Sequence, residues 1–306
     1  KDNELSIKAG DKEYNYNLDQ VTSNQVEEAK EDEKVEELAI DASNLADIQA
    51  GNVYIIATKE GFGVKYSAEM IASGDKGINI DVNGNISYNN ITANNSDINI
   101  TANNGNINID GITYAADKNS NINLTTKSII TNNSQILAEN NLSITAGKII
   151  NNDVILANNI IDIYSNDLDN NNKITAIDNI NLNITNLNND NATIDSSNII
   201  TIKNLTNNNP EIAEFLGINN NISTISNAAG YITATNAIDI DIKDSDYNIN
   251  GTLKTDGYIN IIANNINSEA SIEAIGDIYI KAEDSFTSGI IGDDISINDD
   301  ILIASA

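Results

Sequence analysis

The chain has 306 residues and a formal net charge of −29, with no cysteine and with 16 basic residues that are all lysine. The charge excludes nucleic acid and anionic membrane surfaces as partners, because both require a basic face, and the lack of cysteine excludes disulfides and thiolate metal sites. Asparagine makes up roughly a fifth of the chain, far above globular usage, and together with abundant isoleucine it favours short strands joined by tight turns.

Near the start of the chain, residues 26–38 form an acidic segment, VEEAKEDEKVEEL, without glycine. Alanine, glutamate and lysine favour helix, whereas a run of like charge favours a solvated loop. We therefore predict an acidic insertion between strands at 26–38, either a short helix or a disordered loop. No stretch of the sequence is long and apolar enough for a transmembrane helix, so no membrane insertion is expected.

From residue 78 onward one short unit recurs, in which two apolar residues flank a single residue that is mostly polar. This alternation is strand periodicity, because successive side chains of a strand point to opposite faces. The intervals lie near 20 residues, and the interval of 38 between Ile200 and Ile238 equals two units of 19. The units begin at Ile78, Ile98, Ile122, Leu142, Ile161, Ile180, Ile200, Ile238, Ile259, Ile278 and Ile295.

The rest of each unit carries further apolar positions separated by polar turns, such as Ile86 and Ile91 in GNISYNNITA. A unit of two or three short strands cannot bury its apolar side alone, but it can when it is wound into a coil and stacked on its neighbours. A leucine-rich repeat of similar length needs a run of leucine and a fixed asparagine, which are missing here. The sequence therefore predicts an all-β fold, a parallel β-helix (solenoid) with coils of about 20 residues stacked about 4.8 Å apart.

The long interval after Ile200 contains the segment PEIAEFLG, from Pro210 to Gly217. Proline is favoured at the first position of a helix and glycine just after the last one. One short helical insertion near 210–217 is therefore predicted to bulge from a coil.

Stacking of coils also explains the asparagines. Asparagine tolerates the left-handed backbone of turns, and its amide can bond to the asparagine of the next coil as a ladder. Aspartate is not expected in such ladders, because like charges would repel. The Asn-x-Ser/Thr triplets are numerous enough to arise by chance, and their glycosylation is the less favoured interpretation. They include the triplets that begin at Asn85, Asn90, Asn141, Asn183, Asn191, Asn204 and Asn221.

Residues 50–64, AGNVYIIATKEGFGV, resemble the end of the secretion domain of filamentous haemagglutinins and of related contact-dependent growth inhibition toxins. Lys59 and Glu60 stand where that family has a charged pair. The segment LSIKAGDKEYNY at 5–16 resembles the strand pair before the motif, and the later units resemble the family's haemagglutinin repeats with a drift toward asparagine and isoleucine. The matching residues are Ala50, Gly51, Val53, Ile55, Ile56, Thr58, Gly61, Gly63 and Val64.

This resemblance implies a right-handed β-helix in which residues 1–75 form the C-terminal part of a two-partner secretion (haemagglutination activity) domain. Residues 76–306 are then β-helical haemagglutinin-type repeats. The resemblance also implies export from a Gram-negative bacterium through an outer-membrane two-partner secretion transporter, which would recognise a region upstream of Lys1. The protein would be secreted or displayed on the cell surface, and a distal region would bind a receptor on a host or neighbouring cell.

Stacked-coil enzymes that act on polysaccharides need paired carboxylates facing one groove. With no arginine, histidine or tryptophan in the chain, we expect no catalytic site and no cofactor. Two clusters of aspartate could supply oxygen ligands to calcium, although charged turns are the favoured interpretation. The clusters are Asp239, Asp241, Asp244 and Asp246, and Asp293, Asp294, Asp299 and Asp300.

The sequence thus predicts a non-catalytic, rigid shaft segment of a secreted or surface-displayed filamentous adhesin or contact-dependent inhibition toxin carrier. Its expected mechanism is mechanical, because eleven or twelve coils would make a rod of roughly 50–60 Å. A β-helical polysaccharide-active enzyme and a calcium-binding extracellular matrix protein stay open as alternatives.

Overall fold

The structure is a computed structural model that describes residues 4–9, 38–41, 47–219, 222, 224–268, 271–288, 295–297 and 301–305. In this part of the chain the fold is all-β apart from two short helices, and the strands pair in parallel. About eleven coils of about 20 residues form one β-solenoid, which confirms the predicted fold class. Parallel strands joined by crossovers wind right-handed in nearly all proteins, and this is the hand expected here.

Twenty-nine short strands and two helices follow one another along the described residues. In chain order they are β1 (Glu4–Ala9), β2 (Leu38–Asp41), β3 (Ile48–Ala50), β4 (Asn52–Ala57), β5 (Gly63–Ala72), β6 (Ile78–Val82), β7 (Ile86–Ala93), β8 (Ile98–Ala102), β9 (Ile107–Ile109), β10 (Thr113–Ala115), β11 (Ile122–Thr126), β12 (Ile129–Asn132), β13 (Ile136–Ala138), β14 (Leu142–Asn151), β15 (Val154–Ala157), β16 (Ile161–Asn170), β17 (Lys173–Ala176), β18 (Ile180–Asn188), β19 (Thr193–Ser196), β20 (Ile199–Asn204), α1 (Leu205–Asn208), α2 (Pro210–Leu216), β21 (Thr224–Ser226), β22 (Tyr231–Ala234), β23 (Ala237–Ile249), β24 (Thr252–Thr255), β25 (Tyr258–Ser268), β26 (Ser271–Ala274), β27 (Ile278–Ser288), β28 (Ile295–Ile297) and β29 (Ile301–Ser305).

Each coil contributes one strand segment to each of three parallel sheets. The first sheet contains β4, β6, β8, β11 and β20 and the first halves of strands such as β14, β16, β18 and β23. The second sheet contains β9, β12 and β21 and the second halves of those same long strands. The third sheet contains β10, β13, β15, β17, β19, β22, β24 and β26. Eight long strands turn a corner of the coil without losing strand geometry.

The predicted repeat positions form one continuous column of the first sheet. Ile78 pairs with Ile98, Ile98 with Ile122, and the register continues without a slip through to Ile278. Ten of the eleven positions therefore stack directly above one another. All ten side chains are at most 2% exposed, so the alternation read from the sequence marks the core side of this sheet.

Two details of the repeat prediction are wrong. The interval of 38 residues after Ile200 is one enlarged coil rather than two units, because β20 pairs directly with β23. Ile295 does not continue the column, because β28 pairs with β26 in the third sheet, and the column continues at Ile301 of β29. Apolar alternation is the same in all three sheets, so the pattern alone does not reveal which side of the coil a strand occupies.

The core is the inside of the coil, filled by the inward side chains of all three sheets. Isoleucine dominates it, and the third sheet adds a second column that is mostly alanine. The branched side chain of isoleucine suits the core because it packs well on the pleated surface of a sheet and has little rotamer freedom to lose. This alanine column runs through Ala72, Ala93, Ala115, Ala138, Ala157 and Ala176.

The predicted helix is present as α2, with Pro210 in its first turn and Gly217 in left-handed conformation at its end. A second helix, α1, precedes it and was not predicted. Its four residues carry no periodic signal, and it depends on the side chain of Asn204, which accepts a hydrogen bond from the backbone N–H of Asn207 at 3.2 Å. The predicted acidic insertion at 26–38 lies outside the described residues, apart from Leu38 at the start of β2.

Candidate functional site

A column of five asparagines lies in the interior corner at the end of the second sheet. All five side chains are fully buried. Nδ2 of each of the first four donates to Oδ1 of the asparagine in the next coil, over distances of 2.8, 2.8, 2.7 and 2.6 Å. The amide can donate and accept at once, so each one satisfies its neighbour and the predicted ladder is confirmed. Its members are Asn132, Asn151, Asn170, Asn189 and Asn227.

The abundance of asparagine is also attributed to left-handed backbone in turns, but few positions have this conformation. Among the described residues, the only non-glycine residues with positive φ are Asn191 and Ala229. A second, solvent-exposed ladder runs beside the buried one, because Asn171 donates to Asn152 and Asn152 to Asn133, both at 2.9 Å. Bonding between coils is therefore the main role of asparagine in this chain.

Aspartate does enter the ladders, contrary to the prediction, because it alternates with asparagine. Nδ2 of Asn260 donates to Asp239 at 2.7 Å, and Nδ2 of Asn181 donates to Asp162 at 2.8 Å. In the described strand pairs no carboxylate is in register with another carboxylate. Aspartate and glutamate instead face asparagine, threonine, serine, lysine or isoleucine of the adjacent coil. The large negative charge is thus spread so that like charges avoid the shortest spacing between coils.

The motif residues at 50–64 form one corner of a coil. Val53, Ile55 and Val64 point into the core and are at most 2% exposed. Ala50 ends β3, Gly51 is in the turn before β4, and Thr58 lies exposed after it. The strand, turn and core positions of these residues are explained by the geometry of the coil. Their link to secretion stays a prediction.

Two glycines of the motif are needed for the corner. Gly61 has φ +83°, a conformation that residues with a Cβ adopt only with strain. At Gly63 a Cβ would lie 2.4 Å from the backbone oxygen of Asn85 in the next coil. Both requirements arise from the turn and from the stacking of the next coil.

The first predicted calcium cluster is divided between two sides of the coil. Asp239 and Asp241 project outward from the first sheet, whereas Asp246 belongs to the second sheet and accepts a hydrogen bond from Asn265 at 2.8 Å. The side chain of Asp244 and the second cluster, Asp293, Asp294, Asp299 and Asp300, lie outside the described residues. Within the described part of the chain, no group of three or more acidic residues is placed to hold a metal ion.

A surface depression of about 420 Å³ lies between the third and first sheets of the early coils and is lined by Asp75, Asp97 and Asp117. Two of these carboxylates already accept hydrogen bonds that stabilise the turns in which they lie. Oδ1 of Asp97 accepts from the backbone and the amide of Asn121, and Oδ1 of Asp117 accepts from Asn119. These two carboxylates therefore have a structural role in the turns, which explains their presence without a ligand.

The asparagines of the possible glycosylation triplets differ in their exposure to solvent. Asn183 and Asn204 are buried at 6% and 2% exposure, whereas Asn191 is exposed in a left-handed turn. The side chains of Asn85, Asn90 and Asn141 accept hydrogen bonds from the next coil, and Asn221 lies outside the described residues.

Residues 205–219, which follow β20 and contain α1 and α2, interrupt the regular winding of the described coils, and we call them the helical insert. It folds back over the preceding coils. Asn208 and Asn209 both donate to Oδ1 of Asn183, the latter at 2.8 Å. Phe215 of α2 lies 4.9 Å below the ammonium of Lys127, which belongs to an earlier coil. This cover is why Asn183 is buried although it projects outward.

Two depressions lie where the helical insert meets the outer side of the first sheet, and both are lined by Lys203 and Asn208. One, of about 210 Å³, also contains Asp162 and Tyr164. The other, of about 160 Å³, also contains Asp241. We call the two together the insert groove. Sequence reasoning missed it, because its walls come from coils that are up to 80 residues apart in the chain, and only the long interval after Ile200 hinted at something unusual there.

Comparison of the chain with protein-family models, with curated proteins and with solved structures finds no match. No helix within the described residues is long and apolar enough to cross a membrane. The fold and the site therefore carry the functional argument by themselves.

Proposed function

We propose that the chain is a non-catalytic, rigid shaft segment of a secreted or surface-displayed filamentous adhesin or contact-dependent inhibition toxin carrier. The observation that supports it is the unbroken column from Ile78 to Ile278, in which each coil repeats the hydrogen bonds and the packing of the previous one. A stack of this kind resists bending and shear because every coil is fixed to its neighbours by three sheets and by the asparagine ladders. About eleven coils reach roughly 50–60 Å.

The export route through an outer-membrane transporter belongs to the same proposal. It rests on the motif at 50–64 and on the lack of cysteine, since disulfides formed in the periplasm would block passage of an unfolded chain. The polysaccharide-active enzyme is less well supported. Several outward carboxylates, such as Asp162, Asp239 and Asp246, accept amide hydrogen bonds from the next coil and are engaged in stacking.

A one-coil deletion tests the shaft. Removing residues 133–151 joins Asn132 to Asn152 in register, because Asn132 pairs with Asn151. Spin labels at Thr101→Cys and Lys281→Cys, the only cysteines then present, lie in one outward column eight coils apart, so we expect about 38 Å before the deletion and about 34 Å after it. Pulsed electron paramagnetic resonance measures both distances.

Deletion of residues 133–141 alone is the control, because half a coil moves every later apolar side chain to the wrong side, and we expect loss of cooperative unfolding. An unchanged label distance after the full-coil deletion, or unfolding of that variant, would show that the coils are not independent stacking units. Either result would remove the shaft proposal.

Export is tested in cells with an epitope tag placed after Asn191, an exposed turn residue. With the full-length protein and its transporter present, antibody should reach the tag on intact cells or in the medium. Deleting the transporter gene should retain the tag inside. Equal surface exposure in both strains would contradict two-partner secretion and leave the shaft itself untouched.

A further inference from the structure

The coils wind past the helical insert without a change of register. One coil earlier, Thr185 alone joins the first-sheet part of β18 to its second-sheet part, whereas 19 residues stand in the equivalent place between β20 and β21. The strands on both sides of the insert pair in full register with the coils before and after it. The insert therefore adds a structure to the outside of a shaft that is already continuous.

The insert adds a groove with side walls to the outer face of the first sheet, which is otherwise open to solvent. Outward positions of the first sheet are half-buried along most of the shaft, but Asn183 is covered by Asn208 and Asn209. The insert groove extends to both sides of this contact. Each depression is smaller than the roughly 300 Å³ of a typical drug-sized site, which suits a small unit such as a single sugar ring.

The insert groove presents the mixed polar chemistry that polyhydroxyl ligands need. Asp162 and Asp241 offer carboxylate oxygens, Lys203 offers an ammonium and Asn208 an amide, so that hydroxyl groups can both donate and accept. Tyr164 supplies an aromatic ring at the edge of the same depression, and such rings combine an apolar face with a polar tip. Burial and then the carboxylate of Asp162 raise the pKa of Tyr164, so its hydroxyl stays a donor at neutral pH.

One carboxylate oxygen of the groove lacks a protein partner. Oδ1 of Asp241 is buried and accepts no hydrogen bond from any residue in the described part of the chain. The nearest ammonium, Nζ of Lys243, is 4.0 Å from the other oxygen, Oδ2. A buried acceptor without a donor is rare in native proteins and calls for an explanation, and a ligand hydroxyl in the adjoining depression would supply the donor.

The charges of the groove favour a neutral ligand. Its two aspartates are balanced by Lys203 and Lys243, which disfavours a bare cation. The net charge of −29 disfavours polyanions such as acidic polysaccharides or nucleic acid, because the field of the whole molecule repels them. We propose that the insert groove, formed by the helical insert and the outer side of the first sheet, is a binding site for a neutral saccharide.

The test is a printed array that carries neutral oligosaccharides of glucose, galactose, mannose and N-acetylhexosamines beside sialylated and sulfated ones. We expect binding to neutral members, and the strongest of them then serves as the probe for titration and for saturation-transfer NMR. Tyr164→Leu and the isosteric Asp241→Asn should each raise its Kd at least tenfold. Tyr279→Leu, which changes a half-buried tyrosine on the same sheet five coils further along, should leave Kd unchanged.

Three results would overturn the proposal: no neutral oligosaccharide above background, stronger binding of the acidic members, or equal Kd values for the groove variants and the Tyr279→Leu control. Thermal melts of each variant confirm that the fold is retained. The inference goes beyond the shaft function and is separable from it, since the deletion of residues 133–151 leaves the groove residues in place.

Discussion

At the scale of single residues, the molecule rests on two kinds of interior position. Isoleucine columns bury apolar area, and the asparagine column fills one corner with amides that need each other. A buried polar group without a partner costs about 1–3 kcal/mol, so a ladder is stable only as long as it is complete. The same rule applies to Tyr247, whose hydroxyl is buried and has no hydrogen-bond partner in the described part of the chain.

The first prediction concerns the buried ladder. Asn170→Leu should lower the free energy of unfolding by about 2–4 kcal/mol, because the amides of Asn151 and Asn189 each lose a partner. Asn171→Leu, one residue further on in the exposed ladder, should cost less than about 1 kcal/mol, since water replaces the lost bond. Urea denaturation measures both, and equal losses would mean that the buried ladder is not a stabilising network.

The second prediction contrasts two buried tyrosines. Tyr247→Phe should raise the free energy of unfolding by about 1 kcal/mol, because it removes a hydroxyl that has no partner. Tyr88→Phe should lower it by a similar amount, because the hydroxyl of Tyr88 and Oγ1 of Thr113 are 3.0 Å apart and share a hydrogen bond. Chemical denaturation at pH 7 compares them, and a loss in both variants would contradict the reading of Tyr247.

The pH dependence follows from the same two side chains. Burial raises the pKa of Tyr88 and of Tyr247 well above the usual value of 10.0. The unfolded chain therefore releases these protons first, so stability is complete below about pH 10 and falls as the pH rises further. Tyr247→Phe should lose less stability than the parent protein between pH 9 and pH 11, and an equal loss would show that other groups control alkaline unfolding.

At the scale of elements, strand neighbours are selected by charge as well as by shape. Alternation of aspartate with asparagine lets a carboxylate accept from the coil above without facing another carboxylate. The helical insert interrupts only the turn between two strands, so the pairing of the three sheets continues on both sides of it. Helix α2 lies on the surface of a shaft whose three sheets continue beneath it.

Asn260→Asp tests the charge rule, because it places a carboxylate in register with Asp239. We expect a loss of about 1–3 kcal/mol at pH 7 from repulsion and from the lost amide donor. Acidification to about pH 4 should recover much of it, because one protonated carboxyl can donate to the other. Asn260→Leu is the control whose deficit should not depend on pH, and a pH-independent deficit in both variants would refute the charge rule.

Replacement of residues 205–223 by one threonine, together with Asn204→Ile, tests whether the insert is dispensable for folding. The change imitates the preceding coil, in which Ile184 and Thr185 occupy these places. We expect cooperative unfolding, a melting temperature within a few degrees of the parent and loss of saccharide binding. The same replacement with Asn204 kept should be less stable, because its buried amide would lose Asn207. Failure of both variants to fold would assign the insert a structural role.

At the scale of the whole molecule, the net charge of −29 opposes compaction even though the register keeps carboxylates apart. Raising NaCl from 10 mM to 1 M shortens the screening length from about 30 Å to about 3 Å, so the melting temperature should rise. CaCl₂ and MgCl₂ at matched ionic strength should have equal effects. A fall in melting temperature with salt would contradict the repulsion argument, and an excess effect of Ca²⁺ would support the calcium alternative.

The sequence by itself determined the coil length, the core side of the first sheet, the helix from Pro210 and the use of asparagine between coils. Each of these is local, because alternation, a proline at a helix start and a donor–acceptor amide are legible within a few residues. Only the tertiary structure decided that Ile295 lies in the third sheet, that five particular asparagines are buried, and that the insert folds back over Asn183. Those outcomes depend on the lengths of all intervening turns, which set where distant coils meet and which no short window of sequence contains.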